Sequence, residues 1–133
     1  RHWPDYRRSI ELVVPGQAPK QLHLGDQAVL GVACDNRGKR IWAVLGRWEQ
    51  QRGNHELVLI NDAGEVTQRR ALEPWTLKAG SPIQWNPVTN QLLMTLTRAN
   101  QTHARAGLID GDSLKLIKVM NTPISEAQWL GAG

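Results

Sequence analysis

Apolar positions in this chain fall into short runs separated by polar clusters, a pattern of strands rather than helices. The clearest runs are Ala28 to Cys34, Ile41 to Leu45, Leu57 to Ile60, Leu92 to Leu96 and Ala106 to Ile109. Between them stand Asp35-Asn36-Arg37-Gly38, Asn61-Asp62-Ala63-Gly64, Asn86-Pro87-Val88-Thr89-Asn90 and Asp110-Gly111-Asp112. These clusters predict turns, because Gly and Asn tolerate positive φ and Pro holds φ near a turn value. No apolar run approaches the roughly 18 residues that a membrane-spanning helix needs.

The strand pattern repeats. Cys34-Asp35-Asn36-Arg37-Gly38-Lys39-Arg40-Ile41-Trp42-Ala43-Val44-Leu45 matches Trp85-Asn86-Pro87-Val88-Thr89-Asn90-Gln91-Leu92-Leu93-Met94-Thr95-Leu96 without a gap. Each window reads as a strand end, a polar turn and a second apolar strand, that is, a hairpin. A further strand and turn follow each hairpin, at Glu56 to Val66 and at Ala106 to Leu114, and an earlier copy runs from Glu11 to Lys20. Outer strands are expected at Gln21 to Leu24, Val66 to Leu72 and Leu114 to Met120. Ser81-Pro82-Ile83-Gln84-Trp85 and Ser125-Glu126-Ala127-Gln128-Trp129 share the pattern Ser-x-x-Gln-Trp, which marks the first strand of a new unit. The unit therefore has four strands and recurs about every 44 to 51 residues, the size of a propeller blade. One such sheet cannot cover both of its own faces, so neighbouring units are expected to stack.

Composition sharpens this picture without redirecting it. The chain has 133 residues, 41% hydrophobic and 21% charged, which suits a globular domain and excludes a disordered one. Six Trp against one Tyr and no Phe suggest a repeated packing position. The net charge of +4 is modest and its basic pairs are dispersed, so a nucleic-acid surface is not expected. The lone cysteine, Cys34, excludes an internal disulfide and reads as a small buried hydrophobe.

The hairpin Cys34-Asp35-Asn36-Arg37-Gly38-Lys39-Arg40-Ile41, the segment Trp85-Asn86-Pro87 and the strand-turn Leu59-Ile60-Asn61-Asp62-Ala63-Gly64 resemble repeats of bacterial TolB-like and WD40-like β-propellers. Cys34 stands where that family has Trp, and Thr89-Asn90 stands where it has Asp-Gly. The resemblance implies an all-β chain of consecutive four-stranded antiparallel blades. The expected division is outer strands of one blade in 1–27, a blade in 28–73, a blade in 80–120 and the first strand of another in 121–133. Three blades do not close a ring, so the chain is expected to be a fragment, or to be completed by a second copy. Its start at Arg1 fits a fragment, with any membrane attachment through segments outside it.

Candidate chemistry is sparse. His2, His23, His55 and His103 lack metal-ligand spacing, and His55 and His103 read as surface residues. Asp110-Gly111-Asp112 lacks the remaining oxygen ligands of a calcium loop. The scattered carboxylates form no acid/base pair, and Ser9, Ser81, Ser113 and Ser125 have no base beside them in sequence. The inner-strand candidates Val29, Val32, Ile83 and Trp85 are apolar, against a catalytic axis. The best binding candidates are Trp42, Trp48 and Trp75, the last two beside the inserts Arg47 to Asn54 and Glu73 to Gly80; the alternative is that these indoles cover blade edges and seams. The expectation is a non-catalytic binding or scaffolding segment with a protein partner and no cofactor. The resemblance implies a cell-envelope, periplasmic setting. The alternatives are an extracytoplasmic propeller domain of a membrane transport protein such as a phosphate permease, and part of a propeller enzyme whose site lies in other blades.

Overall fold

A computed structural model describes residues 9–12, 18, 20–23, 28–35, 39–46, 55–78, 80–98 and 103–120. Among them all regular structure is β, with no helix. Strands β1 (Ser9–Leu12) and β2 (Lys20–His23) form a two-stranded antiparallel ladder. A four-stranded antiparallel meander follows: β3 (Ala28–Cys34), β4 (Arg40–Gly46), β5 (Glu56–Asn61) and β6 (Val66–Ala71), neighbours in space in chain order.

The next sheet has five strands: β7 (Thr76–Leu77), β8 (Gln84–Asn86), β9 (Gln91–Thr97), β10 (Arg105–Asp110) and β11 (Leu116–Val119). Both β7 and β8 pair with β9 on the edge away from β10, at Leu77 opposite Leu96 and Trp85 opposite Leu92. They are two pieces of one interrupted first strand. The sheet is thus four strands wide and has the strand order of the one before it.

Register makes the two sheets equivalent residue by residue. Cys34 faces Ile41 across β3 and β4, as Trp85 faces Leu92 across β8 and β9. Arg40 faces Asn61, as Gln91 faces Asp110. The turns that follow use the same device. Asn61 Oδ1 accepts hydrogen bonds from the Ala63 and Glu65 amides, and Asp110 Oδ2 accepts them from the Ser113 amide and hydroxyl. A short polar side chain that bonds backbone two to four residues ahead closes the turn locally.

Side chains alternate across each strand, so each sheet has two faces. One face of the first sheet carries Ala33, Trp42, Val44, Leu57 and Leu59. It packs against Leu77, Ile83, Leu92, Met94, Leu96, Ile109 and Leu114 of the second unit in one continuous core. The other face, Ile41, Ala43, Leu45, Val58 and Ile60, is fully buried as well, with Val29 and Val66 packed against it. Burial on both sides is why β4 reads as an uninterrupted apolar run. Strand β6 is polar and mostly exposed at the outer edge, where charge discourages pairing with other chains.

Several expectations change. The insert Glu73 to Gly80 contains strand β7, so the second unit begins at Thr76. Two residues are too short for a periodic signal; pairing to Thr97 and Leu96 makes them a strand. Cys34 is exposed, not buried, because it is the last residue of an edge strand. Val32 on the same edge is 39% exposed. The expected strand in 121–133 lies outside the described residues.

Candidate functional site

The most organised polar cluster lies where the two sheets meet, and it begins with a turn. Asp35 follows β3; its Oδ1 accepts the Lys39 amide at 2.9 Å, and its own amide donates to the Arg40 carbonyl at 3.1 Å. This turn starts β4 at Arg40, whose side chain shares the face of Trp42, toward the second sheet. The guanidinium lies over the rings of Trp42 and Trp85, 5.0 and 5.5 Å from their centroids. It also pairs with Asp35 at 3.4 Å and with Asp112 at 2.9 Å. A planar cation covers aromatic faces while its N–H edge serves carboxylates, so one Arg makes both sets of contacts.

The two indoles stack, with centroids 5.7 Å apart and planes 25° apart. Each has its N–H satisfied: Trp42 Nε1 donates to the Gly111 carbonyl at 2.9 Å and Trp85 Nε1 to Asn90 Oδ1 at 2.9 Å. Asn90 sits at a φ of 53°, the left-handed region that Asn adopts more readily than most residues. Its carbonyl accepts the Gly111 amide at 2.8 Å. A Cβ on Gly111 would lie 2.8 Å from that carbonyl oxygen, so the approach requires glycine. From β6, Gln68 Nε2 donates to the Asp112 carbonyl and Arg70 Nε to the Ser113 carbonyl at 3.4 Å. The turn 110–113 is therefore held from two strands of the preceding unit, β4 and β6.

The electrostatics fit a latch. Burial disfavours the Asp35 carboxylate, but the Arg40 and Lys39 amides and the Arg40 guanidinium outweigh it and lower its pKa. The Ser113 amide and hydroxyl do the same for Asp110. The Cys34 thiol is pushed above its usual value by partial desolvation and by neighbouring Asp35, which disfavours the reactive thiolate.

A second junction lies toward the other strand ends, beyond Gly46. His55 Nδ1 accepts the Leu77 amide at 3.0 Å, and the His55 carbonyl accepts the Leu72 amide at 2.9 Å. His55 was expected at the surface; it is buried because the chain turning into β7 crosses over it. Nearby, the Thr76 and Thr97 hydroxyls share a hydrogen bond at 2.8 Å, and Arg98 lies 5.2 Å from the Trp75 ring centroid.

The aromatic binding candidates are therefore relocated. Trp42 is fully buried on a strand, and Trp75 is buried beside β7, 9% exposed. Both are packing residues in this conformation, because each indole fills the core shared by the two sheets. Trp48 lies outside the described residues. His103 is exposed. Among the described residues, no three His, Cys, Asp or Glu side chains gather as metal ligands. Among them, too, no buried side-chain nitrogen or oxygen lacks a hydrogen-bond partner.

Sequence reading did not single out Arg40, Asn90, Gly111 or Asp112 as a group. Arg40 and Asp112 are 72 positions apart, and no local spacing connects them. The available signal was the repeat itself, since Arg40 and Gln91 occupy matching positions, as do Asn61 and Asp110. No protein-family model matches the chain, and no curated protein matches it.

Proposed function

We propose that this chain is a non-catalytic binding scaffold made of consecutive propeller-like blades, presenting its turns to a protein partner. The observation that carries this reading is the equivalence of the two sheets. They have the same strand order and matching registers, and they share one continuous core. Stacking of like units around an axis needs this kind of face-to-face burial, and it leaves the connecting turns as the exposed, variable parts. The polar cluster at the seam supports a mechanical role: from the first sheet to the second, Arg40 pairs with Asp112 and the Trp42 indole N–H donates to the Gly111 carbonyl. The β8–β9 turn offers an exposed apolar tip, with Val88 73% exposed. The family resemblance adds the setting of a bacterial envelope.

The test uses a photoreactive amino acid placed at Val88 and, separately, at Asp62 in the gene product expressed in its native cells. The expected result is a discrete protein adduct from at least one position. Absence of adducts at both, with normal expression and folding, would overturn the reading.

A further inference from the structure

We propose that His55 is an acid-sensitive joint, at which protonation of Nδ1 releases strand β7 from the first sheet. The geometry leaves one assignment of roles. A backbone N–H can only donate, so the 3.0 Å contact from Leu77 requires a lone pair on Nδ1. The neutral ring then carries its proton on Nε2. Protonation at Nδ1 sets two donors against each other, and the Leu77 amide loses its acceptor.

The site leaves the ring little room to avoid this. A Cβ placed on Gly46 would meet His55 Cδ2 at 2.9 Å and Nε2 at 3.2 Å, so that edge of the imidazole rests against the β4 backbone. His55 is also held by its main chain, through its carbonyl to the Leu72 amide. The charged groups on the described elements around it are Glu56, Arg69, Arg70, Glu73, Lys78 and Arg98. Glu56 pairs with Arg69 at 2.6 Å on the opposite face of the sheet, and Lys78 follows the donor residue. Burial independently disfavours the imidazolium and lowers its pKa.

The consequence is confined to one joint. Strand β7 is only two residues long and is held to β9 by Thr76 and Leu77. Losing the Leu77 anchor detaches β7 from the first sheet, while its pairing to β9, strand β8 and the Trp42–Trp85 stack at the other end stay in place. Acid would thus loosen one end of the seam before the sheets unfold.

The test is amide hydrogen exchange at Leu77 as a function of pH, corrected for the intrinsic pH dependence of exchange, beside an NMR titration of the His55 ring. Protection at Leu77 is expected to fall by up to tenfold per pH unit from about pH 6.5, the free imidazole value, and to level off where the His55 ring titrates. Core amides such as Leu59 and Met94 should stay protected over that range. A second arm uses His55→Asn, whose side-chain oxygen can accept but does not titrate; its Leu77 protection should be flat. Constant wild-type protection from about pH 6.5 down to the His55 pKa would overturn the proposal, as would the same pH dependence in His55→Asn. If that variant does not fold, wild-type protection that does not level off where the ring titrates suffices to overturn it.

Discussion

At the scale of residues, Trp42 is the largest fully buried side chain of the seam. It is fully buried, stacks on Trp85, lies beneath Arg40 and donates to Gly111. Trp42→Ala is expected to cost about 3–5 kcal/mol, as for other large aromatic truncations in well-packed cores. Chemical denaturation, with an unchanged slope against denaturant, is the measurement. The titratable residues predict how stability follows pH. His55 has a lowered folded pKa, so its contribution is complete above the unfolded value of about 6.5 and is lost as pH falls through the folded pKa. Asp35 and Asp110 also have lowered values; their contribution is present above about 3.9 and is lost on further acidification. A stability curve against pH should show the histidine limb first, and His55→Asn should remove that limb alone. Of these residues, the turn roles of Asp35 and Asp110 were legible in sequence, because a turn is a local device. Trp42 read either as a surface anchor or as the cover of a blade seam, and His55 as a surface residue, because burial depends on a sheet contributed by residues far along the chain.

At the scale of elements, legibility followed length. The seven-residue strands β3, β4 and β9 each announce themselves as apolar runs between turn formers, and their pairing follows from the repeat. Strand β7 was hidden inside a segment that reads as a loop. Its existence depends on β9 offering an unpaired edge beyond β8, which no local pattern encodes. The interruption also sets a close contact. A Cβ on Gly31, in β3, would fall 2.8 Å from Ile83 Cδ1 and 3.0 Å from Leu77 Cδ2. Gly31→Ala should therefore overpack the seam beside β7 and cost about 1–3 kcal/mol. Comparing Gly31→Ala with Gly31→Ala/Ile83→Val by denaturation checks the cause. Partial recovery in the double variant is the outcome expected if the clash lies at Ile83.

At the scale of the whole molecule, the repeat determines how the parts depend on one another. The first sheet is buried on both faces, and the second unit shares its core. The two large sheets share the core around Trp42, so they should unfold together. Tryptophan fluorescence and amide exchange at Leu59 and Ile109 should report one transition; two separated transitions would mean independent sheets. The central claim is that two equivalent four-strand-wide sheets stack through the Trp42–Trp85 seam. The most direct measurement is the set of inter-sheet nuclear Overhauser contacts in the isotopically labelled chain. The expected contacts run from the Trp42 ring to Trp85, and from Gly31 to Ile83 and Leu77. Contacts of Trp42 confined to its own sheet, or Trp85 paired across from a residue other than Leu92, would contradict it.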